Sequence, residues 1–199
     1  GVIDNNDQTF IGNPEPKFTF GFGNTFSWKG WDLSLQFTGS VGNKVLNYNR
    51  RRLEVTGATS NLLTSVLNYA KVEKIDPNGP DDYRNYYVSN ASSTIMPRLY
   101  TESYSNGNNR VSDAFVEDGS YLRLQNVSLS YTFPKKWIEH IFLSNVKLYM
   151  NIQNLFTITK YDGYDPEVGS LWGDALKNGI DYNRYPSPRI YTFGINVSF

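Results

Sequence analysis

Arg189-Ile-Tyr-Thr-Phe-Gly-Ile-Asn-Val-Ser-Phe199 alternates without a break between large apolar side chains and small or polar ones. Successive side chains of a β-strand point to opposite sides, so the apolar set shares one face and the polar set shares the other. Eleven residues at about 3.3 Å each, tilted by roughly 45°, rise about 25 Å, which is the height of the apolar band of an outer-membrane barrel. The segment therefore predicts a membrane-spanning strand whose lipid face carries Tyr191, Phe193, Ile195, Val197 and Phe199.

Four further segments alternate in the same way, and they predict four more strands of barrel length. Only Lys29-Gly30 separates the first two segments, and a two-residue linker that contains glycine predicts a tight hairpin. In the third segment, Arg123 and Gln125 fall on the apolar parity, so we expect these two residues to lie near or above the membrane edge. The four segments are residues 17–28, 31–42, 121–133 and 146–153.

The connections between the five segments are very unequal in length. Two residues and about ten residues form the short ones, whereas roughly 75 residues (43–117) and roughly 30 residues (159–188) form the long ones. Outer-membrane barrels have short periplasmic turns and long extracellular loops, so we expect Phe199 to lie on the periplasmic side. An aromatic girdle is predicted at that end, formed by Trp28, Trp31, Tyr131, Phe133 and Phe199.

Composition narrows the class of protein. Basic and acidic residues number 19 each and cancel, so no overall basic field indicates a nucleic-acid partner. No window approaches the ~20 consecutive apolar residues of a membrane helix, and cysteine, with its disulfide and thiol chemistry, is absent. Because Gly1-Val-Ile-Asp4 lacks a basic start and an apolar run, we expect any targeting segment to lie upstream and the chain to be a C-terminal portion.

A soluble all-β module that binds glycans is the alternative, because a β-sandwich also alternates apolar and polar residues. Strand length argues against it, since sandwich strands usually have about 5 to 6 residues. The five aromatic side chains of residues 17–28 carry on the order of 750 to 1,250 Å² of surface, more than soluble proteins usually leave open. These side chains require either lipid or a second sheet.

The longest connection predicts a short helical excursion within residues 44–72, where apolar residues recur near helical spacing around Arg50-Arg51-Arg52. The triple arginine fits a solvated or ion-paired helix face better than a ligand clamp. Carboxylates in 76–82 and 162–167 suit calcium chemically, but neither segment follows the known calcium-loop spacing. Tyrosines and asparagines downstream form a mixture that suits a sugar or a peptide, although tyrosines packing the loops together is the simpler interpretation. The candidate ligand-binding residues are Tyr83, Tyr86, Tyr87, Arg98, Tyr100 and Tyr104.

Catalysis finds little support in the sequence. The single histidine, His140, lies in a segment assigned to a periplasmic turn, far from the long loops. No serine has a G-x-S-x-G context and no His/Cys spacing indicates a metal site. We therefore expect no enzyme activity and no cofactor.

Three segments resemble the closing part of the SusC/RagA-type TonB-dependent outer-membrane transporters. Val116-Glu-Asp-Gly-Ser-Tyr-Leu-Arg-Leu-Gln-Asn-Val-Ser-Leu-Ser-Tyr-Thr-Phe-Pro134 is similar to a near-terminal signature of that family. Gln153-Asn-Leu-Phe-Thr-Ile-Thr-Lys-Tyr-Asp-Gly-Tyr-Asp-Pro-Glu167 resembles its strand-to-loop motif, and Tyr185–Phe199 resembles its closing strand. Residues 45–114 match nothing that we can name.

This resemblance implies a 22-stranded barrel with an N-terminal plug, of which residues 1–199 supply the last five strands. The complete protein would then import oligosaccharides or peptides across the outer membrane. Its implied partners are the rest of the barrel and the plug, a SusD-like surface lipoprotein, TonB through the missing N-terminal part, the lipid bilayer and the outer-membrane assembly machinery. That machinery would read the apolar side chains of residues 191–199 as an insertion signal.

Overall fold

A computed structural model describes residues 4–54, 61–99 and 109–199. The chain divides into two compact units, Gly1–Leu46 with Val116–Phe199 and Asn47–Phe115. No helix in the described ranges is both long and apolar enough to cross a bilayer. In chain order the strands are β1 (Phe18–Trp28), β2 (Trp31–Val41), β3 (Lys44–Asn47), β4 (Val72–Lys74), β5 (Tyr86–Val88), β6 (Val116–Asp118), β7 (Tyr121–Thr132), β8 (Asn145–Thr159), β9 (Ile180–Asp181) and β10 (Ile190–Ser198).

Short helices lie before and between these strands. Among the described residues two are α-helical, α1 (Tyr48–Leu53) and α2 (Lys135–Ile138). The remaining helical turns are of the 3-10 type, and they cover Asn5–Asp7, Thr64–Asn68, Tyr83–Asn85, Asp113–Phe115, Glu139–Ile141, Leu171–Gly173 and Ala175–Lys177.

The first unit is built on a five-stranded sheet in the order β1-β2-β7-β8-β10, and every neighbouring pair is antiparallel. The predicted all-β class and the five long strands are therefore confirmed. Four strands begin and end within one residue of the predicted bounds. The exception is β8, which continues to Thr159, six residues beyond the predicted end, because the chain passes an irregularity at Asn154 (φ 53°) and resumes pairing with β7.

The predicted tight hairpin joins β1 to β2 through Lys29 and Gly30. Both residues have positive φ, 46° and 88°, which is the combination that matches a two-residue turn to the twist of the flanking strands. Gly30 has a second reason to lack a side chain, because a Cβ there would lie 2.7 Å from the carbonyl oxygen of Thr132.

A β-bulge in β7 changes the side of the sheet on which its first residues point. Gln36 and Phe37 of β2 pair with Asn126 and Leu124, so Gln125 is the extra residue. Because one inserted residue reverses the alternation, Arg123 falls on the polar face, opposite Thr38 of β2. The prediction that Arg123 shares the apolar parity is wrong for this reason.

The apolar face of the sheet has a small packed centre and an exposed periphery. Leu124, Val127 and Ile152 are buried against neighbouring side chains of the same face, among them Leu35 and Phe37. All residues of the edge strand β1 are exposed, as are all those of β10 except Gly194. Among the described residues of the first unit, no second layer covers the exposed side chains of β1 and β10, in contrast to the arrangement that a soluble sandwich requires.

A smaller three-stranded sheet, β6-β3-β9, follows the end of β2 at which the longest connection begins. Val45 of β3 is 1% exposed, the most buried of the large side chains. The N–H of Leu46 donates to the carbonyl of Gly179 at 2.8 Å, joining the β3 region to the β8–β10 connection. The bases of the two long loops are therefore hydrogen-bonded to each other within the first unit.

The second unit contains the predicted helical excursion. Asn47 caps α1 by accepting a hydrogen bond from the N–H of Arg50 at 2.8 Å. Arg50 pairs with Glu54 at 3.0 Å, and Arg51 donates to the carbonyl of Asn109 at 2.6 Å. These arginines are thus engaged within the unit, as expected for an ion-paired helix face. Among the described residues of the unit, the buried apolar side chains are Val66, Met96 and Phe115.

Candidate functional site: two sheet faces and their loop clusters

The apolar face of the five-stranded sheet, called the outer face from here on, is an exposed surface, and the polar face is called the inner face. The register aligns Trp28 with Trp31, Phe26 with Leu33 and Phe22 with Phe37 across the first hairpin. Phe22 is 56% exposed and Trp28 is 68% exposed although both lie in regular strands. Contiguous apolar surface of this kind marks a membrane or protein contact.

The predicted insertion-signal residues continue this surface along the other edge strand. The register places Tyr191 beside Ile152, Phe193 beside Met150 and Ile195 beside Leu148. Between 45% and 97% of each of the five side chains is exposed. They therefore form one apolar row, whose recognition by assembly machinery stays a prediction. The row consists of Tyr191, Phe193, Ile195, Val197 and Phe199.

The inner face is polar. Thr25 bonds Ser34 at 3.2 Å and Ser27 donates to Asp32 at 2.6 Å across the first hairpin. Further along the same face, the Oδ1 atoms of Asn126 and Asn151 are buried without a hydrogen-bond partner in the described structure. Because buried polar atoms normally have partners, this face suits water or a polar occupant rather than an apolar core.

Arg123 is the centre of a buried ion-pair cluster at the loop end of β7. Only 4% of the residue is exposed. Its guanidinium donates to Asp165 through Nη2, to Glu167 through Nη1 at 2.7 Å and to Thr157 through Nε at 3.0 Å. The ring of Tyr121 lies 5.4 Å from the guanidinium carbon. The bulge at Gln125 makes this cluster possible because it turns Arg123 inward.

Asp165 connects this cluster to the start of the closing strand. It accepts the N–H of Glu167 at 3.0 Å and the N–H of Ser187 at 3.1 Å in addition to the guanidinium. Burial acts to raise the pKa of Asp165, but these two N–H groups and Arg123 outweigh it and hold the pKa below its ordinary value. The cluster therefore fixes both ends of the β8–β10 connection.

A second buried contact lies in the same connection. The hydroxyl of Tyr161 donates to Asp181 at 2.6 Å, and the N–H of Arg184 donates to the same carboxylate at 3.1 Å. Burial, together with the hydrogen bond to Asp181, raises the pKa of Tyr161 well above its ordinary value. The phenol thus stays neutral and serves as a structural donor.

Three of the predicted ligand-binding tyrosines, Tyr83, Tyr86 and Tyr87, lie on one hairpin of the second unit. Tyr86 donates to Asp81, and Tyr87 donates to Glu73 at 3.2 Å. Tyr83 is 82% exposed and the guanidinium of Arg84 lies 5.5 Å from its ring centre. The hydrogen bond to Asp81 raises the pKa of Tyr86, whereas the charge of Arg98 lowers it, which places Arg98 within electrostatic reach of that hydroxyl.

Four of the six candidates are thus described. Tyr83, Tyr86 and Tyr87 lie together, and Arg98 acts on one of them. The other two, Tyr100 and Tyr104, lie outside the described residues. Ligand binding by this set stays a prediction.

Sequence reasoning missed an exposed aromatic pair in the β8–β10 connection. Trp172 has φ 52° and ψ 26°, and its ring lies 5.8 Å from that of Tyr182 in an edge-to-face arrangement. Lys177 lies 5.9 Å from the same ring centre and pairs with Asp174 at 3.0 Å. Trp172 is 80% exposed, so most of its ring faces solvent. The feature of the sequence that could have indicated this pair is a tryptophan within a long polar loop.

Several of the carboxylates considered for calcium have other partners. Asp165 and Glu167 accept from Arg123, and Asp82 pairs with Arg84 at 3.0 Å. Within the ranges that the structure describes, no group of three or more acidic, histidine or cysteine side chains is placed to hold a metal ion. His140 lies exposed in the 3-10 turn after α2, at the opposite end of the sheet from the β8–β10 connection.

Two TonB-dependent receptors are similar to this chain over its full length. No family model matches the sequence. The TonB-dependent receptor P3 of Formosa agariphila is 32% identical over all of this chain, and the TonB-dependent receptor SusC of Bacteroides thetaiotaomicron is 26% identical over all of it. The chain spans 18% of the first relative's length and 17% of the second's.

Solved structures agree with the sequence relatives. The RagAB peptide importer in its closed-closed state superposes with a TM-score of 0.70 at 26% identity, over 96% of this chain and 18% of that one. The open-open state of the same importer gives a TM-score of 0.64 over 93% of this chain and 17% of that one. The matched fold is therefore part of a much larger transporter chain.

Proposed function

Because this chain belongs to the SusC/RagA family of TonB-dependent receptors, we propose that it forms wall and extracellular loops of an outer-membrane importer. The single observation that supports this most is the exposed apolar face of a sheet whose strands are long enough to span a bilayer. A row of polar side chains on the opposite face suits a water-filled lumen. Since the relatives are named as receptors and importers, the role assigned is transport rather than catalysis.

The imported substrate is an oligosaccharide or a peptide. Support for a peptide comes from the similarity to the RagAB peptide importer, and an oligosaccharide is what the family resemblance implies. Energy would come from TonB, acting on a part of the protein other than these five strands. A SusD-like surface lipoprotein would cover the loop end.

Completion of the barrel requires further strands. Within the five-stranded sheet, β1 and β10 each have one edge without a partner strand among the described residues. Unpaired backbone groups are not tolerated in lipid. We therefore assign the two edges to neighbouring strands of a larger barrel, 22-stranded by the family resemblance, which also supplies a plug.

Two loop surfaces are the proposed substrate contacts. The first is the hairpin with Tyr83, Tyr86 and Tyr87 and the nearby Arg98, extended in sequence by Tyr100 and Tyr104. The second is the exposed pair Trp172 and Tyr182. Flat aromatic rings beside charged groups suit both sugar rings and peptide side chains.

The test is an uptake measurement in cells that encode the complete protein. Labelled oligosaccharide and peptide pools are supplied to wild-type cells, to cells without this protein and to cells without TonB. We expect uptake of one pool to fall to background in both mutant strains. Unchanged uptake of both pools in the strain without the protein, or loss that does not depend on TonB, would contradict the proposal.

A further inference from the structure

We propose that the turn between β7 and β8 is a membrane anchor that lies in the headgroup layer of a phospholipid bilayer. The inference rests on the proposed outer-membrane location and adds a surface that lies outside the strands. This turn, residues 133–144, contains α2 and the 3-10 helix Glu139–Ile141. From sequence it is simply a periplasmic turn, which would place its side chains in water.

An unbroken series of aromatic contacts leads from the sheet onto this turn. Trp31 and Tyr131 lie on the outer face with ring centres 4.7 Å apart. Tyr131 and Phe133 are 5.1 Å apart, and Phe133 and Trp137 are 6.3 Å apart in an edge-to-face arrangement. The apolar outer face therefore continues past the end of β7 onto α2.

The turn itself exposes large apolar side chains. Trp137 is 64% exposed, Ile141 is 61% exposed and Phe142 is 91% exposed. Ile138, by contrast, is buried, so the turn is packed on the protein through another side. Exposing three large apolar side chains to water in a turn of 12 residues is unfavourable. Aromatic residues are, however, enriched at membrane–water interfaces.

The backbone at Phe142 gives independent support. Phe142 ends the helical segment with φ 59° and ψ 28°, and its N–H donates to the carbonyl of Glu139 at 3.2 Å. Glycine or asparagine usually occupies such a left-handed position, and a bulky residue there is strained. Since its ring makes few contacts within the described protein, an apolar environment outside the protein accounts best for a phenylalanine at this position.

Charges around the turn fit the phosphate layer of a bilayer. Lys135 and Lys136 are exposed at the start of α2, and Lys29 of the neighbouring hairpin lies 5.0 Å from the ring centre of Trp28. Glu139 is the only acidic residue in 133–144. Ammonium groups beside interfacial aromatic residues bind lipid phosphates, so the partner is a phospholipid leaflet rather than another protein.

The experiment uses spin labels on the complete protein in vesicles of phosphatidylethanolamine and phosphatidylglycerol. The chain contains no cysteine, so single sites are introduced as Phe142→Cys and Trp137→Cys, in a protein without other reactive cysteines. Glu139→Cys is the matched control in the same turn, and Leu35→Cys reports the outer face of the sheet. Collision rates with oxygen, which concentrates in lipid, are compared with those of a water-soluble nickel chelate.

We expect labels at positions 142 and 137 to favour oxygen several-fold over the label at position 139. If all three turn labels favour the nickel chelate while the label at position 35 favours oxygen, the turn does not contact lipid and the proposed anchor is wrong. The lipid contact of the sheet's outer face is then still supported. If the label at position 35 also favours the nickel chelate, the outer face does not contact lipid, and the proposed function fails with the anchor.

Discussion

Arg123 shows how one residue connects the five-stranded sheet to a loop. Its guanidinium is almost fully buried and is satisfied by Asp165, Glu167 and the Thr157 hydroxyl. Burying a charge costs several kcal/mol per ion unless partners compensate, so the three contacts must be kept together. Because Asp165 also accepts from Ser187, the arginine sets where the closing strand begins.

Replacing Arg123 by alanine is therefore expected to destabilise the protein strongly. Asp165 would keep its two backbone donors but lose the cation, and removing one partner of a buried pair costs about 3–5 kcal/mol. The measurement is urea-induced unfolding of the complete protein in detergent. Lys177→Ala is the control, since its pair with Asp174 is largely exposed and such pairs contribute about 0.2–1 kcal/mol. Equal losses in the two variants would contradict the role given to Arg123.

At the scale of elements, the alternation of apolar and polar residues predicted the five long strands but not the irregularities within them. A regular strand repeats every two residues, so its bounds follow from where apolar and polar residues stop alternating. The extra residue Gln125 reverses that pattern, and Arg123 then looks as if it pointed to lipid. The irregularity at Asn154 hid the end of β8 in the same way. Bulges depend on the pairing with neighbouring strands, which one strand's sequence does not contain.

The contacts within the loop clusters likewise differ in whether the sequence could predict them. The gathering of Tyr83, Tyr86 and Tyr87 was predictable because the three are close in sequence. The contacts of Asp165 with Ser187 and of Trp172 with Tyr182 join residues that are distant along the chain. Such contacts depend on how a long loop folds back, and no local pattern indicates that.

Deleting Gln125 tests the bulge as an element. Without the extra residue, Leu124 follows Asn126 in regular alternation, so Arg123 stays on the polar face opposite Thr38 and the strand no longer needs a bulge. We expect the deletion variant to reach the outer membrane in amounts close to those of wild type, measured as folded, heat-modifiable protein on gels. Gln125→Ala keeps the chain length and the exposed position, so it should fold normally. Much lower amounts of folded deletion variant would contradict the assignment of Gln125 as the extra residue.

At the scale of the whole molecule, the five long strands form one sheet with two chemically different faces. Its apolar face is uncovered within the described residues, and its polar face holds amide oxygens without partners. The two sheet edges, at β1 and β10, need strands from elsewhere. These features together are difficult to reconcile with a soluble module and agree with membership in a family of outer-membrane receptors.

The central claim is that hydrocarbon covers the apolar face, and paired arginine substitutions in the complete protein test it most directly. Leu35 and Ser34 are adjacent in β2 but lie on opposite faces, opposite Asn24 and Thr25 of β1. Arginine at Leu35 should reduce the free energy of folding into lipid vesicles by about 2–4 kcal/mol, whereas arginine at Ser34 should cost much less. Equal costs at the two positions would contradict the account.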